Sequence, residues 1–243
     1  MEPHTRAGGP DGASTPDGPP QDVPSLDVPP TEDAHDVIVL AGGGGTRLGG
    51  VDKASLEVGG RPLLDRVLEG TGRARRVVVV GDTTVPDGVL RTVEDPPGGG
   101  PVAGIAAGLR ALATTTGPTA GRAPARPVAA RPDWTLVLAV DQPGAGQAVT
   151  ALLAAAAGAG PTTDLVCPHD DEGHPQWLLA AYRTSALTAA LQPLGTGHDI
   201  SVRRLVSGLT VADAAVVGVG DIDTWEDHAA WQARLTDGRG GQE

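Results

Sequence analysis

The chain has 243 residues, of which 40% are hydrophobic, and its formal net charge is −12. This length is ample for one sizeable core, and no apolar run approaches the ~20 residues of a membrane-spanning helix, so we predict a soluble protein with no membrane partner. The acidic balance, the five aromatic residues and the lack of a basic stripe argue against nucleic-acid binding. A single cysteine, Cys167, and no apolar leader favour a cytoplasmic location.

Residues 1–35 are predicted to form a disordered acidic tail. They are rich in proline and glycine, and their acidic side chains are opposed by Arg6 alone. A segment with this composition has too few apolar side chains to build a core. We therefore place one folded domain at residues 36–235 and a short disordered tail at residues 236–243.

Short β-branched runs alternate with helical stretches from Asp36 onward, which is typical of βαβ units. We predict an α/β fold with three layers, αβα, around a mostly parallel, Rossmann-like sheet. Strands are predicted at residues 37–41, 76–80, 89–93, 134–140, 164–167, 176–182 and 214–219. Helices are predicted at residues 62–69, 102–113, 146–157, 184–191, 200–206 and 224–235, the last with a capping pair at Thr224 and Asp227. Residues 114–133, rich in Thr, Pro, Ala and Arg, are predicted to be a mobile surface insertion.

The first predicted strand leads directly into a glycine-rich segment, LAGGGGTRLGGVDK, from Leu40 to Lys53. Glycines adopt positive φ readily and let backbone N–H groups approach an anion. Lys53 is the only lysine among the eighteen Lys and Arg residues, and a flexible ammonium after a glycine turn suits phosphate oxygens. The spacing excludes a P-loop, which needs Gly-Lys-Ser/Thr, and the dinucleotide fingerprint, which needs a third glycine.

Polar residues follow the predicted strands directly, where open parallel sheets bind their ligands. After the glycine loop, the segments that follow the strands are, in chain order, Gly81-Asp82, Glu94-Asp95, Asp141, and Asp221 with Asp223. If the strands are parallel neighbours, all of these segments lie along one edge of the sheet. The carboxylate of Asp141 could then bind Mg²⁺ together with substrate phosphates, or it could cap the helix that follows.

The glycine loop resembles the signature of the nucleotidyltransferases that activate sugar and cofactor phosphates: LAGG, two or three residues, R-x-G, then D-K. The pattern is most similar to that of the molybdenum cofactor guanylyltransferases. The resemblance continues through GGRPLLDRVL, VEDPPGGGPVAGIAAGL, LAVDQP and DIDTWEDHAAW, and so covers nearly all of residues 36–235. It implies a nucleotidyltransferase domain that uses Mg²⁺ to transfer GMP from GTP to molybdopterin with release of pyrophosphate. A molybdoenzyme or another cofactor-biosynthesis protein is an expected partner.

The same resemblance implies roles for individual residues. Arg47, Lys53 and Asp141 would be catalytic, and the nucleotide would be bound by Leu40, Ala41, Gly42, Gly43, Lys53, Asp95 and Asp141. The metal would be held by Asp141 and Asp223, with Asp221 a weaker candidate, and the acceptor would be contacted by His174, Trp177 and Arg203. Aspartate at 221 and 223 departs from the family, in which asparagine is common there, and the polar residue that the family often places after its second strand is not evident.

Several alternatives stay open at the level of sequence. Asp95 could accept hydrogen bonds from guanine or from ribose hydroxyls. The segment from His169 to His174 could be a metal cluster, although a hairpin turn is favoured, and Trp177 could belong to the core. The activity could also be that of a cytidylyltransferase or of a guanylyltransferase for another phosphorylated small molecule, or the chain could be a catalytically silent relative. The presence of Lys53, Arg47 and Asp141 together argues against the last.

Overall fold

The computed structural model describes residues 35–42, 48–114 and 132–237. Its strands are β1 (His35–Leu40), β2 (Glu57–Val58), β3 (Arg61–Pro62), β4 (Arg76–Val80), β5 (Leu90–Thr92), β6 (Trp134–Ala139), β7 (Leu165–Cys167), β8 (Leu179–Arg183) and β9 (Val211–Asp213). Its α-helices are α1 (Leu63–Gly70), α2 (Pro101–Thr114), α3 (Ala145–Gly158), α4 (Thr184–Leu191), α5 (Val202–Val206) and α6 (Trp225–Asp237). Short 3-10 helices lie at Lys53–Ser55 and Gln192–Leu194.

The described strands form a seven-stranded sheet in the order β5-β4-β1-β6-β8-β7-β9, with β2 and β3 as a separate hairpin. Four neighbours, β5, β4, β1 and β6, are parallel, whereas β8 runs antiparallel to both β6 and β7. The register aligns the strand ends, since Leu40 pairs with Val80 and Ala139, and Val80 pairs with Thr92. The prediction of a mostly parallel α/β sheet is confirmed.

Helices cover both faces of this sheet, which explains why its central strands are apolar at consecutive positions. Val37 and Val39 of β1 point into a core shared with α1, α3 and Trp231 of α6. Ile38 and Leu40 point into a second core shared with α2, α4 and α5. The predicted three layers, helix on sheet on helix, are therefore present.

The prediction of a last strand at residues 214–219 is wrong. These residues form no strand, and the edge strand β9 lies immediately before them. Val217 is 95% exposed, so the apolar residues of this run do not all face the core. The hairpin of β2 and β3 was not predicted, because strands of two residues around the positive-φ glycines Gly59 and Gly60 are too short to show a period.

The folded elements extend slightly past the predicted domain of residues 36–235. β1 begins at His35 and α6 ends at Asp237, while Thr114 of the predicted insertion is the last residue of α2. The remainder of both predicted tails, and residues 115–131 of the insertion, lie outside the described residues. In the described ranges, no helix combines the length and the apolar character that crossing a membrane requires.

Helices α1 and α3 meet with their backbones in direct contact. A Cβ atom added to Gly70 would overlap the carbonyl oxygen of Gly146, and one added to Gly146 would overlap the carbonyl oxygen of Arg66. Both obstacles are backbone atoms, which cannot move aside as the end of a flexible side chain could. Glycine at these two positions therefore sets the separation of the two helices that cover one face of the sheet.

We expect Gly146→Ala to lower the free energy of unfolding by ~1–3 kcal/mol or more, because overpacking of this kind forces the helices apart. Gly158→Ala is the matched control, since it lies on the same helix with no atom within 4 Å of an added Cβ. There the higher helix propensity of alanine should leave stability unchanged or raise it by up to ~1 kcal/mol. Urea titrations compare the variants, and equal stability of the two would contradict the proposed contact.

Candidate active site

The carboxyl ends of the four parallel strands are joined by backbone hydrogen bonds that continue beyond the strands. The N–H of Ala41 donates to Val80 at 2.8 Å, and the N–H of Gly81 donates to Thr92 at 3.0 Å. Gly81 has φ of 156°, and a Cβ atom there would lie 2.8 Å from the carbonyl carbon of Ala41. The start of the glycine loop is thus packed directly against the end of β4.

The predicted nucleotide-binding residues at the start of the glycine loop lie at the tip of β1. Leu40 and Ala41 are buried there, and Gly42 is exposed. Gly43 and Arg47 lie outside the described residues, so their predicted roles stay predictions.

Lys53 is positioned by the short 3-10 helix that it begins. Asp52 caps this helix, with its Oδ1 atom accepting a hydrogen bond from the backbone N–H of Ala54 at 3.0 Å. Ala54 is itself 2% exposed and belongs to the core on the α1 and α3 side of the sheet. The backbone of Lys53 is therefore fixed, while its four-carbon side chain extends from it.

The ammonium of Lys53 bridges two carboxylates from distant parts of the chain. Its Nζ atom lies 2.9 Å from Oδ2 of Asp141 and 2.8 Å from Oδ1 of Asp223. The Lys53 side chain is only 15% exposed, whereas those of Asp141 and Asp223 are 27% and 45% exposed. Sequence reasoning named all three residues, and the structure brings them into direct contact.

Asp141 and the segment from Asp221 to Asp223 are held together by the main chain. The N–H of Ile222 donates to the carbonyl oxygen of Asp141 at 2.8 Å, and the Ile222 side chain is fully buried. This anchor places Asp221 and Asp223 beside the end of β6, although the strand predicted to deliver them does not exist. The next helix is fixed at the same point, because Asp227 accepts from the N–H of Asp223 at 3.2 Å.

The predicted capping pair at the start of α6 is confirmed. Asp227 accepts from the N–H of Thr224 at 2.8 Å, and the hydroxyl of Thr224 accepts from the N–H of Asp227 at 3.2 Å. The hydrogen bond from the Thr224 hydroxyl is the main reason that the pKa of Asp227 is lowered. The cap secures the segment that carries Asp223.

Charged groups around Lys53 shift the pKa values of Lys53 and of Asp221. Burial alone would lower the pKa of Lys53, but the hydrogen bonds and negative charges of Asp223 and Asp141 more than offset it, and the pKa is raised. The pKa of Asp221 is also raised, first by burial and then by the charges of Asp223 and Asp141. Among the described residues, the carboxylates of Asp141, Asp221 and Asp223 thus outnumber the Lys53 ammonium at this point.

Asp141 does not cap the helix that follows it, since the residue before α3 is Gly144 and no side chain bonds to that helix end. In the described ranges, no three His, Cys, Asp or Glu side chains are arranged to hold a metal ion by themselves. Two carboxylates that leave several positions to water and phosphate oxygens nevertheless suit Mg²⁺, which rarely occupies cages made only of protein. Asp141 and Asp223 therefore fit this ion in the presence of a phosphorylated ligand.

Glu94 is a site residue whose contacts sequence reasoning missed. Its Oε2 atom accepts a hydrogen bond from the N–H of Gly98 at 2.9 Å. Its Oε1 atom would lie 3.5 Å from a Cβ atom at Gly42 and 3.4 Å from one at Gly104. The Glu94 carboxylate thus lies beside Gly42 and Gly104, whereas Asp95, which the sequence favoured, is exposed.

The candidate acceptor residues lie on the antiparallel side of the sheet and on α5. His174 is exposed in a turn that Asp170 closes by accepting from the His174 N–H at 2.8 Å, so the favoured hairpin turn is confirmed. Trp177 packs partly buried against the second core, and its carbonyl accepts from the Tyr182 hydroxyl at 2.8 Å. Arg203 is exposed on α5. A core contribution by Trp177 is therefore observed alongside any role toward the acceptor.

A glutamine pair connects this turn with the end of β6. The side chain of Gln142 is 5% exposed, and its Nε2 atom donates to Oε1 of Gln176 at 3.2 Å. Gln176 in turn donates to Asp170 at 2.9 Å. Sequence reasoning did not identify this connection, because it joins side chains that are far apart in the sequence.

The arrangement has the chemistry that transfer of a nucleotidyl group requires. Such a reaction needs alignment and neutralisation of phosphate charge more than it needs a proton-transferring residue. Gly42, an ammonium and carboxylates able to hold a divalent ion lie at the carboxyl edge of a parallel sheet, where ligands of open α/β sheets bind. The fold and the site are of the kind that nucleotidyltransferases use.

Comparison with known proteins identifies the family. The family model of the MobA-like NTP transferase domain matches residues 37–214, so the chain belongs to that family. Molybdenum cofactor guanylyltransferases of Cereibacter sphaeroides and Acidiphilium cryptum are 43% identical over 77 residues and 38% identical over 94 residues. These stretches cover 30% and 34% of this chain, and only 40% and 45% of the two relatives.

Solved structures share the fold over most of its length. Molybdopterin-guanine dinucleotide biosynthesis protein A from Archaeoglobus fulgidus has a TM-score of 0.59 at 22% identity, over 83% of this chain and 99% of its own. The 2-C-methyl-D-erythritol 4-phosphate cytidylyltransferase from Thermus thermophilus has a TM-score of 0.55 at 19% identity, over 84% and 99%. Because these neighbours are named for different nucleotides, the fold alone does not select the base.

We expect Asp221→Asn to stabilise the metal-free protein at neutral pH. The pKa of Asp221 is raised in the folded state, so the folded protein loses stability as this carboxyl ionises with rising pH. The gain in melting temperature should shrink as the pH falls toward the ordinary aspartate pKa of ~3.9. Thermal melts in the presence of a chelator measure this gain in melting temperature, with Asp171→Asn in an exposed turn as the control. A lower melting temperature of Asp221→Asn at neutral pH would contradict the proposed repulsion between these carboxylates.

Proposed function

We propose that this protein transfers GMP from GTP to molybdopterin, in a Mg²⁺-dependent reaction that releases pyrophosphate. The contact of Lys53 with Asp141 and Asp223, at the end of β6, is the observation that carries the proposal. The assignment of guanine as the base and of a pterin as the acceptor is based on the names of the related proteins. A cytoplasmic location and a partner protein that exchanges the cofactor are predictions from composition and family.

In this reaction an oxygen of the acceptor's phosphate forms a bond to the α-phosphorus of GTP. The bond from that phosphorus to the oxygen bridging the β-phosphorus breaks, and pyrophosphate leaves with the electron pair. A phosphate monoester is already ionised near neutral pH, so its attack needs no general base. The contribution of the protein is therefore to align the two phosphates and to offset their charge.

Each group at the edge of the sheet has a proposed part in this task. Lys53 would pair with triphosphate oxygens, and the glycine loop from Gly42, with Gly43 and Arg47, would approach them with N–H groups and a guanidinium. Asp141 and Asp223 would hold the Mg²⁺ ion, with Asp221 nearby. When bound, this ion would neutralise charge on the phosphates.

Recognition of the base and of the acceptor is proposed for residues on either side of the phosphates. The carboxylate of Asp95 could accept from N1–H and N2–H₂ of guanine together, and Glu94 would hold the turn that carries it through its bond to Gly98. His174, Trp177 and Arg203 are the proposed contacts for molybdopterin. A cytidylyltransferase is the second candidate, because a protein with that activity shares the fold.

The proposal is tested first by calorimetric titration with GTP, CTP, ATP and UTP, each with and without Mg²⁺. We expect GTP to bind selectively and more tightly with Mg²⁺, since the ion cancels repulsion between the carboxylates and the triphosphate. Formation of the guanylylated product from molybdopterin and GTP then tests the transfer itself. Selective CTP binding would assign a cytidylyltransferase, and absence of binding by all four nucleotides would identify a silent relative.

Lys53→Ala and Asp141→Ala should each lower the rate of transfer at least ~100-fold, because a preorganised charged group is commonly worth ~3–4 kcal/mol in the transition state. Arg61→Ala and Asp65→Ala are matched controls. Arg61 forms an exposed ion pair with Glu69, and Asp65 is exposed on α1. Circular dichroism and initial rates separate folding from turnover, and near-normal turnover in either site variant would overturn the assignment.

A further inference from the structure

The ammonium of Lys53 lies where a divalent ion held by Asp141 and Asp223 would have to bind. It takes one oxygen from each carboxylate, at 2.9 and 2.8 Å, and those are the groups that would bind Mg²⁺. The two cations would compete for the same ligands. In the described structure the positive charge between the carboxylates is that of Lys53.

Removing Lys53 from this position has a definite cost. Hydrogen bonds between charged groups are shorter and stronger than those between neutral groups. An ion that arrives without a nucleotide must break both bonds and gains only two protein carboxylates, because the described residues offer no cluster of three ligands. A triphosphate changes the balance, since it supplies oxygens to the ion and new anionic partners to Lys53.

The side chain of Lys53 can change partners without movement of its backbone. Asp52 and the buried Ala54 fix the 3-10 helix from which it projects. Its flexible four-carbon stem carries a compact ammonium with three donors, which is free to rotate toward a different anion. The exchange therefore requires only rotation of the Lys53 side chain away from the two carboxylates.

We propose that Lys53 is the resident counter-cation of Asp141 and Asp223 in the nucleotide-free protein, and that it suppresses metal binding until nucleotide phosphates draw it away. The metal and the nucleotide then enter together. This inference rests on the proposed function, which identifies Asp141 and Asp223 as the metal ligands. It adds that the metal does not bind before the nucleotide.

The first test is titration of the metal-free protein with Mn²⁺ in the absence of nucleotide, followed by electron paramagnetic resonance of the free ion. We expect Lys53→Met to bind Mn²⁺ at least ~10-fold more tightly than the wild type, because neither charged hydrogen bond has to be broken. Lys53→Arg, which keeps a cation, should bind Mn²⁺ about as weakly as the wild type. Asp141→Asn should remove the tight binding from the Lys53→Met protein.

Equal Mn²⁺ affinities of the wild type and Lys53→Met would overturn the inference, as would tight binding by Lys53→Arg. These measurements contain no nucleotide, so they are independent of the transfer assay. Failure of GMP transfer together with the expected Mn²⁺ pattern would count against the proposed function alone. Normal transfer with equal Mn²⁺ affinities would count against this inference alone.

A second test uses the wild-type protein and so does not depend on the folding of a variant. Lys53 is the only lysine in the chain, so an amine-reactive reagent followed by peptide mass spectrometry reports on it directly. Saturating Mn²⁺ without nucleotide should release the ammonium from its two carboxylates and accelerate its modification severalfold. An unchanged rate at saturating Mn²⁺ would show that the ion and Lys53 do not share ligands, and the inference would fall.

Discussion

Both faces of the central sheet are covered by helices, and this constraint decides where the protein can carry polar groups. Side chains along β1 and β4 point into one core or the other, so a charge there would have to be buried. At the amino end of β1, Asp36 is 3% exposed and is compensated by Arg75, which donates to its two oxygens at 3.0 and 2.7 Å. At the carboxyl ends the strands open into loops, and the candidate active site lies there.

Concentrating the carboxylates at one strand end creates an electrostatic problem that Lys53 relieves in the nucleotide-free protein. Asp223 bonds to the Lys53 ammonium, and the pKa of Asp221 is raised by burial and by the charges of Asp223 and Asp141. A substrate with several negative charges makes this problem worse unless additional cations come with it. The excess of carboxylates over cations among the described residues thus supports the proposed joint entry of the nucleotide and a divalent ion.

The site is assembled by contacts that fix distant segments rather than by one continuous motif. Ile222 joins the loop before α6 to Asp141 through the backbone, and the cap at Thr224 fixes the direction in which α6 leaves. The close approach of α1 and α3 at Gly70 and Gly146 fixes the layer on which this loop rests. A substitution in such a contact can change the site without touching a ligand.

Sequence by itself determined the fold class, most elements and the three residues at the centre of the site, because apolar runs, glycine loops and strand-end carboxylates are local patterns. It failed for residues 214–219, an apolar run that forms no strand and leaves Val217 exposed, and it did not reveal the bonds of Glu94, Gln142 and Ile222. Those depend on which strand ends become neighbours. Only the tertiary structure placed Lys53 between Asp141 and Asp223, which lie 88 and 170 residues further along the chain, since Coulombic attraction acts on distance in space.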